Sequence, residues 1–392
     1  MRIKNDLVIG ANGMKIWVIG RNYPDQSNNG QGSFELEQAK MLAKRGNEVT
    51  YIACVLHPFW RIKNGGFVDF DDAPLKVIAY SGFFTPHMTD PMIQFPYFPK
   101  LRNSKWEKLL GKVEESVGLP DVIHIHFPLM VLSAEVFKKY HDRGVKVVVT
   151  EHWTKVINKK LDRYETNQMI AYLDYAAAYL AVGYSLKRAI VEITGTDQEI
   201  QVVPNIVNDA FKPSKAEHEG FRFGIVGRLV PEKQMDKVIE AFADAFKGDS
   251  NTQLIIVGGG PERKHLEDLA AMLGVSQQIA FKGLLGREKT AEAVRELDCL
   301  VCFSKYETFG VPVIEAWASG IPVITTTADC ITDCWDDRLG ISITYTDDAA
   351  LQTAMRYMKN NKEQYDHDFI ADYAVDHYSE ETIYNALMKI YG

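Results

Sequence analysis

Short apolar runs alternate with amphipathic stretches through the first half of the chain. Residues 34–46, FELEQAKMLAKRG, place apolar side chains at helical spacing and end on a glycine, which predicts a helix. Apolar runs separated by helices predict the strands of a parallel sheet that is covered on both faces. The runs that predict strands are MKIWVIG at 14–20, EVTYIAC at 48–54, VIHIHF at 122–127, KVVVTEH at 146–152, AYLAVG at 178–183 and EIQVVPN at 199–205.

A second series of the same kind begins near Phe221. The strand pattern FRFGIVGRL precedes a helix pattern whose apolar residues include Val238 and Phe242. Further strand and helix patterns follow, among them the apolar run CLVCFS at 299–304. The repeat predicts an α/β protein with two doubly wound units and a linker at 207–220. In open parallel sheets, ligands bind in the crevice at the carboxyl ends of the strands.

Composition fits two ordinary globular domains. The chain has 392 residues, of which 46% are hydrophobic and 24% are charged. No apolar run reaches the roughly 18 residues that a membrane span needs, and the first residues lack the apolar block of a signal peptide. Five cysteines without a disulfide spacing indicate a reducing cytoplasm, and a net charge of −8 argues against nucleic-acid binding. Residues 1–13 fit either a native extension or the remnant of a tag.

The segment SKYETFGVPVIEAWASGIPVI, residues 304–324, indicates a loop that leads into a helix. Pro312 suits the first helical turn, because a proline there loses no helical hydrogen bond. Gly320 suits the left-handed position after a helix, so we predict a helix at about 312–319. The backbone amides from Gly310 onward are free at such a helix start, and they attract a phosphate group.

Two glutamates, Glu307 and Glu315, flank the expected phosphate position. Glu315 lies about 7.5 Å beyond Gly310 at about 1.5 Å per residue, where its carboxylate can accept hydrogen bonds from two ribose hydroxyls. Glu307 precedes the helix and is placed to meet the hydroxyls of a sugar attached to the phosphate. Because carboxylates repel a diphosphate, Arg228 and Lys233 in the loop GRLVPEKQ are expected to supply the compensating charge. The pattern favours a nucleoside diphosphate sugar as ligand.

These motifs resemble those of the family-4 glycosyltransferases, which are retaining enzymes with the GT-B fold. Residues 304–324 resemble their Glu-x7-Glu signature, and FGIVGRLVPEKQMDKVIEAF resembles their phosphate segment, with Gln234 in place of the usual glycine. DVIHIHFPL at 121–129 resembles the segment that carries a cleft histidine, best matched by His126. The stretch NNGQGSFELEQAKMLAKRGNEV resembles their GG…GHEV segment, in which Gly30 keeps the second glycine.

The resemblance implies the architecture of the whole chain. The expected fold is GT-B, with two Rossmann-like doubly wound parallel-sheet domains that face each other across a cleft. Residues 1–206 and 378–392 would form the acceptor-binding domain, because the last helix of this fold returns to the first domain. Residues 207–377 would form the domain that binds the nucleotide-sugar.

The resemblance also implies an activity and its residues. A sugar would pass, with retention at the anomeric carbon, from a nucleoside-diphosphate donor, most simply a UDP-sugar, to a glycan or lipid-linked acceptor in cell-surface polysaccharide or glycolipid biosynthesis. Neither a metal nor a cofactor is expected, since the nucleotide-sugar is a substrate. Arg228 and Lys233 would stabilise the leaving diphosphate, Glu307 would hold the sugar and Glu315 the ribose. The implied catalytic residues are His126, Arg228, Lys233 and Glu307, and the implied donor-binding residues are Gly30, Gly227, Gly258, Thr308, Phe309, Gly310, Val311 and Glu315.

Three histidines are candidates for the site in the first domain. His124 and His126 are two residues apart on one predicted strand, so their side chains point to the same face of the sheet. His126 is the later of the two and is expected nearer the carboxyl end, whereas His124 is expected to have a hydrogen-bonded role in the core. His152, at the end of the next predicted strand, is a further candidate, for which a core role is equally open.

Other functions would require different sequence motifs. A dinucleotide-dependent oxidoreductase needs G-x-G-x-x-G at the first strand–helix turn, and GQGSFE lacks the third glycine. A nucleotide-sugar epimerase of the same fold remains the alternative, because it would use the same donor site without an acceptor. A catalytically silent binding subunit is disfavoured by the presence of Glu307, Lys233 and Glu315.

Two further stretches carry weaker signals. DFDD at 69–72 contains Asp-x-Asp, a metal–diphosphate signature of another glycosyltransferase fold, but we expect a solvated turn there because it is far in sequence from the phosphate motifs. FPKLRNSKWEKLLGK at 98–112 combines five basic residues with apolar ones. Acidic residues elsewhere offset its charge, which favours a solvated helix, and peripheral contact with an anionic membrane is the alternative. We therefore expect a cytoplasmic protein, with the inner membrane face as the place of such a contact.

Overall fold

The structure is a computed structural model that describes residues 13–23, 33–57, 66–83, 97–213, 218–327 and 334–392. Contacts divide the chain into two units, one formed by Met1–Asn205 with Tyr384–Gly392 and the other by Ile206–Ile383. We expected the returning segment to begin at residue 378, but residues 378–383 belong to the second unit. There the backbone N–H of Val207 donates to the carbonyl of Tyr378 at 3.0 Å, and the Tyr378 ring packs edge-on against Phe309.

The first unit is built on an eight-stranded sheet with the order β3-β4-β2-β1-β5-β6-β7-β8. All neighbouring strands are parallel except β3 and β4, which form an antiparallel hairpin. The strands are β1 Lys15–Gly20, β2 Glu48–His57, β3 Gly66–Asp72, β4 Leu75–Phe83, β5 Val122–His126, β6 Lys146–Glu151, β7 Ala178–Ala181 and β8 Gln201–Val202. Its helices are α1 Ser33–Lys44, α2 Tyr97–Val117, α3 Pro128–Val131, α4 Ala134–His141, α5 Thr154–Ile157, α6 Arg163–Leu173 and α7 Tyr184–Thr194.

The second unit contains a six-stranded parallel sheet with the order β11-β10-β9-β12-β13-β14. The strands are β9 Phe221–Val226, β10 Thr252–Val257, β11 Ile279–Gly283, β12 Cys299–Cys302, β13 Val323–Thr326 and β14 Gly340–Ile343. The helices are α8 Met235–Phe246, α9 Arg263–Leu273, α10 Arg287–Arg295, α11 Val311–Ala318, α12 Asp348–Asn360, α13 His367–Tyr378 and α14 Glu380–Tyr391, whose end belongs to the first unit. The predicted pair of parallel-sheet α/β units is confirmed.

The central strands are apolar along their length because helices cover both faces of each sheet. In β1 the residues Ile16, Trp17, Val18 and Ile19 are all fully buried. Parallel pairing brings the carboxyl ends of neighbouring strands to one edge, so that His126 at the end of β5 pairs with Thr150 of β6. This edge of each sheet is where the loops with the predicted site residues begin.

The hairpin β3–β4 was not predicted, and the expected turn at 69–72 is wrong. Asp69–Asp72 lie within β3, at the open edge of the first sheet. Asp69 forms an ion pair with Lys76 at 2.9 Å, and Asp72 forms one with Lys40 at 2.9 Å. These carboxylates therefore have cationic partners on neighbouring elements, and charged side chains are common on edge strands because they discourage pairing with another chain.

The basic stretch 98–112 lies in α2, a helix whose apolar side faces its own unit. Trp106, Leu109 and Leu110 are at most 3% exposed. On the other side, the Lys112 ammonium lies 3.8 Å from the centre of the Phe67 ring. Trp106, Leu109 and Leu110 are thus already buried in the fold, whereas Leu101, in the same stretch, is 42% exposed. Among the described residues, no helix is long and apolar enough to cross a membrane.

Candidate active site

Two glycine-rich loops pack against each other at the carboxyl edge of the second sheet. Gly227 follows β9 and Gly258 follows β10, both with positive φ, 155° and 145°. A Cβ atom added to Gly258 would lie 1.8 Å from the carbonyl oxygen of Gly227, far inside contact distance. The two loops are also joined by a hydrogen bond from the Leu229 amide to the Gly259 carbonyl at 3.0 Å. Close approach of two backbones explains why glycine occupies these predicted donor-site positions.

Lys233 and Glu307, from different loops, form an ion pair. Lys233 ends a short 3-10 turn, Pro231–Lys233, and its ammonium donates to Oε1 of Glu307. Glu307 is only 9% exposed, and Cys302 Sγ lies 3.6 Å from the same oxygen. A cation beside a buried carboxylate offsets the cost of removing that charge from water.

The two predicted cations differ in their surroundings. Arg228 is exposed, and within the described part of the chain no ion pair holds it, whereas Lys233 is engaged with Glu307. Gln234, which stands where the resembling family has glycine, adopts a left-handed conformation with φ 47°. Its side-chain amide donates to the carbonyl of Tyr345 at 3.2 Å, which fixes the turn that carries Lys233.

The loop 304–310 leads into α11 as the sequence indicated. The predicted helix at about 312–319 is found at Val311–Ala318, with Gly310 as N-cap at φ 74° and Pro312 in the first turn. Phe309 is 7% exposed and Thr308 is half-buried. The first helical hydrogen bond runs from the Val313 amide to the Gly310 carbonyl at 2.8 Å. A helix start of this kind presents backbone N–H groups and a partial positive charge.

Glu315 is held by a cation that sequence reasoning missed. It is 7% exposed, and Arg287 Nη1 donates to its Oε1 at 3.1 Å. Arg287 begins α10, which follows the loop after β11 at the same edge of the sheet. The only sequence signal was a basic residue shortly after a third strand of the unit, in the run KGLLGREK. Both glutamates of the Glu-x7-Glu segment are therefore buried and paired with a cation from another loop.

In the first unit, His126 lies at the end of β5 but is enclosed. It is 1% exposed, its Nδ1 lies 2.9 Å from His152 Nε2, and its Nε2 lies 3.4 Å from Gln38 Nε2. His124 has the core role that was expected, with Tyr391 Oη at 2.6 Å from its Nδ1. His152 is 5% exposed, and its Nδ1 is buried without a partner among the described residues. The histidine with an unused ring nitrogen is thus His152.

Burial governs the protonation of this cluster. It lowers the pKa of His124 to about 3 and the pKa values of His126 and His152 well below their usual range. All three rings are therefore neutral at physiological pH. Burial also raises the pKa of Glu151, at the end of β6, to about 7. Its Oε1 accepts hydrogen bonds from the backbone amides of His152 and Trp153 at 2.8 and 2.9 Å.

Arg21, which follows β1, was also missed by sequence reasoning. Its Nε donates to Oε1 of the fully buried Glu35 at 2.8 Å, and its guanidinium lies 3.6 Å from the centre of the Phe127 ring. Phe127 in turn stacks on His152 with ring centres 4.5 Å apart. Gly30, the remaining predicted donor-site residue, lies outside the described residues. In the described ranges no group of three or more His, Cys, Asp or Glu side chains is arranged to hold a metal ion.

Parallel strands with glycine loops and a helix start at one edge of the sheet are typical of α/β proteins that bind nucleotides. The model for Glycosyl transferases group 1 matches residues 207–372, and the model for Glycosyltransferase Family 4 matches residues 28–211. The two matches together cover most of the chain. The chain belongs to the group-1, family-4 glycosyltransferases.

Individual relatives agree with this assignment. The chain is 26% identical to N-acetyl-alpha-D-glucosaminyl L-malate synthase of Bacillus anthracis over 80% of this chain and 79% of that protein. It is 30% identical to D-inositol 3-phosphate glycosyltransferase of Acidothermus cellulolyticus over 53% of this chain and 52% of that protein. The second match thus spans about half the length of that relative.

Solved structures share the fold. Sucrose-phosphate synthase from Thermosynechococcus elongatus superposes with a TM-score of 0.73 at 17% identity, covering 96% of this chain and 98% of that chain. Anabaena HepE in complex with UDP gives a TM-score of 0.69 at 16% identity, covering 96% and 99%. The expected GT-B fold is confirmed.

Proposed function

We propose that the protein is a retaining glycosyltransferase that moves a sugar from a nucleoside-diphosphate donor, with UDP-sugars favoured, to a glycan or lipid-linked acceptor. One observation carries the proposal. The two glutamates on either side of the α11 start, Glu307 and Glu315, are both buried and each is paired with a cation from a different loop. Surface carboxylates without a role would have no reason to be buried at this edge of the sheet.

The proposed step exchanges one bond at the anomeric carbon for another. The bond from this carbon to the oxygen of the β-phosphate breaks, and a bond to the acceptor hydroxyl oxygen forms on the same face of the sugar. The hydroxyl proton passes to the departing diphosphate. Arg228, Lys233 and the first amides of α11 would offset the negative charge that develops on this leaving group, which we expect to need no metal ion.

The remaining roles follow from the surroundings of each side chain. Glu315, oriented by Arg287, would bind the ribose hydroxyls, and Glu307 would bind the sugar. In the first unit we assign the ligand contact to His152 instead of His126, since only His152 keeps a ring nitrogen without a partner among the described residues. The UDP-bound structures of HepE support the donor class.

The proposed acceptor class rests on the relatives. Among them are an alpha-monoglucosyldiacylglycerol synthase, matched over 25% of this chain, and the lipopolysaccharide outer core galactosyltransferase WaaB, which shares the fold. They support an acceptor from polysaccharide or glycolipid biosynthesis, and the cytoplasmic side of the membrane stays the expected place of action. Peripheral contact through 98–112 stays a prediction that depends on its exposed Lys100, Lys108 and Lys112 together with the exposed Leu101.

A donor screen followed by two variants tests the proposal. The melting temperature is measured with UDP-, GDP- and ADP-sugars, because a ligand that binds the folded state raises it. With the best donor, Lys233→Ala and Glu315→Ala are each expected to lower turnover about 100–1000-fold. Lys264→Ala, which removes an exposed ion pair with Asp268, serves as control and should keep the wild-type rate.

The outcomes separate the candidate functions. Transfer that persists in EDTA, with an α-linked product from an α-linked donor, supports the retaining, metal-independent reaction. A new sugar isomer formed from donor alone would favour the nucleotide-sugar epimerase. Wild-type turnover in both Lys233→Ala and Glu315→Ala, or a melting temperature that no nucleotide-sugar changes, would contradict the proposed donor site.

A further inference from the structure

A chain of buried polar groups connects α1 and the end of α14 to His152. Gln38 on α1 lies with its Nε2 3.1 Å from Nδ1 of His124 and 3.4 Å from Nε2 of His126. His126 Nδ1 lies 2.9 Å from His152 Nε2. Gln38, His124, His126, His152 and Tyr391 are all at most 5% exposed. Polar groups at this depth are ordered by their mutual hydrogen bonds, since water does not compete for them.

Gln38 determines which nitrogen of His126 carries hydrogen. The side-chain amide nitrogen of Gln38 is a donor only, so His126 Nε2 must be the acceptor. A neutral imidazole has one acceptor and one donor nitrogen, and therefore His126 carries its hydrogen on Nδ1. This hydrogen points to His152 Nε2, which lies at 2.9 Å and must accept it.

The tautomer of His152 follows from that of His126. Since its Nε2 accepts from His126, the neutral His152 ring carries its hydrogen on Nδ1. That nitrogen is buried and has no acceptor among the described residues. A buried N–H without an acceptor destabilises the folded state, so its presence suggests a partner that arrives with the ligand.

We propose that Gln38 is a positioning residue that sets the tautomers of His126 and His152, so that His152 offers an Nδ1–H donor to a ligand oxygen. The tautomer is a property of the chain itself, and only the identity of the ligand oxygen, a sugar hydroxyl or a phosphate oxygen, rests on the proposed function. Gln38 would act on the ligand through two histidines without touching it.

His124, which neighbours both Gln38 and His126, has hydrogen-bond partners of its own. Tyr391 Oη lies 2.6 Å from His124 Nδ1, and Thr150 Oγ1 lies 2.6 Å from His124 Nε2. The rings of His124 and His126 stack with centres 4.3 Å apart. The ring next to Gln38 thus has a partner at each nitrogen. Because burial keeps these rings neutral, the tautomers do not depend on pH in the neutral range.

Nitrogen NMR of the ligand-free protein decides the tautomer. Protonated and unprotonated ring nitrogens have well-separated ¹⁵N shifts, and the chain has only 10 histidines. The signals of His126 and His152 are assigned by their loss in His126→Gln and His152→Gln. Hydrogen on Nδ1 of both rings in the wild type supports the proposal. Hydrogen on Nε2 of His152 overturns it, whether or not the protein transfers sugar.

A variant of Gln38 tests the residue that sets the tautomers. Gln38→Met keeps the size of the side chain but removes the donor, so the His126 and His152 shifts are expected to move to values between the two limits. Gln198→Glu, an exposed position in the same unit, is the control and should leave both tautomers fixed. Unchanged tautomers in Gln38→Met would refute the role of Gln38. The wild-type spectrum, once assigned, does not depend on Gln38→Met and remains decisive where that variant fails to fold.

Discussion

Glu151 gives a prediction in which the structure sets both the sign and the size of a pH effect. Its side chain is fully buried at the end of β6, and its Oε2 has no hydrogen-bond partner among the described residues. Burial raises its pKa from 4.5 to about 7 against the opposing effect of the His152 and Trp153 amides, and Glu165 adds to the rise. Glu165 is itself paired with Lys155 at 2.6 Å, so its influence is partly neutralised.

The sign follows from which state holds the proton. Below about pH 4.5 the Glu151 carboxyl is protonated in both the folded and the unfolded chain, so it does not affect stability. Between about pH 4.5 and 7 the unfolded chain releases the proton while the folded chain keeps it, and stability is lost as the pH rises. At about 1.4 kcal/mol per pH unit, the rise of this pKa from 4.5 to about 7 corresponds to about 3 kcal/mol.

The variant Glu151→Gln isolates this effect, because glutamine keeps the acceptor for the two amides and does not titrate. Urea unfolding is measured at pH 4.5, 5.5, 6.5 and 7.5 and followed by hydrogen exchange in the first unit. At the lowest pH, Glu151→Gln and the wild type should have the same free energy of unfolding. At the highest pH, the free energy of unfolding of the variant should exceed that of the wild type by about 3 kcal/mol. Glu115→Gln, exposed on α2, should differ from the wild type by a constant amount. If the difference in free energy of unfolding between Glu151→Gln and the wild type does not grow with pH, the raised pKa of Glu151 is refuted.

Other features give shorter tests. Gly258→Ala should lower the free energy of urea unfolding by about 2–5 kcal/mol, because Gly258 has a positive φ and lies against a neighbouring carbonyl. The control Gly286→Ala should lower it by at most about 1 kcal/mol, because Gly286 has φ −69° and open space around it. Arg287→Ala should raise the donor KM about tenfold with kcat little changed, since Glu315 loses its orienting cation; an unchanged KM would contradict this. Trp317→Phe, at a fully buried position, should lower stability by about 1–3 kcal/mol, seen as a lower melting temperature, by leaving a backbone carbonyl without its donor.

The parts of the fold that sequence predicted well are those fixed by local sterics. Helix α11 was expected at about 312–319 and lies at Val311–Ala318, because a proline and two glycines limit where a helix can begin and end. The buried strands were predicted because a parallel sheet that is covered on both faces demands uninterrupted apolar runs. The exception was β3, whose carboxylates at 69, 71 and 72 suggested a turn. At a sheet edge these side chains reach solvent and cationic neighbours, so a strand tolerates them.

Pairings between distant side chains were not predictable. Arg287 and Glu315 are 28 residues apart, and His124 and Tyr391 are 267 apart. No local rule for a strand or a helix specifies such partners. The sequence pointed to both glutamates as candidate site residues, yet it gave no sign that Glu315 would take its cation from the start of α10. Which charges neutralise each other therefore depends on how the loops of neighbouring strands meet.

The three histidines show that position in the sequence does not tell which ring nitrogen is available to a ligand. The two-residue period of a strand places His124 and His126 on one face, and their stacked rings agree with it. Position at the strand end favoured His126 as the ligand contact, but Gln38 and His152 occupy both of its nitrogens. This geometry is why we assign the ligand contact to His152, whose Nδ1 has no partner among the described residues. Because His126 donates its N–H to His152, the N–H that remains unused is the one on His152, the last of these hydrogen-bonded rings.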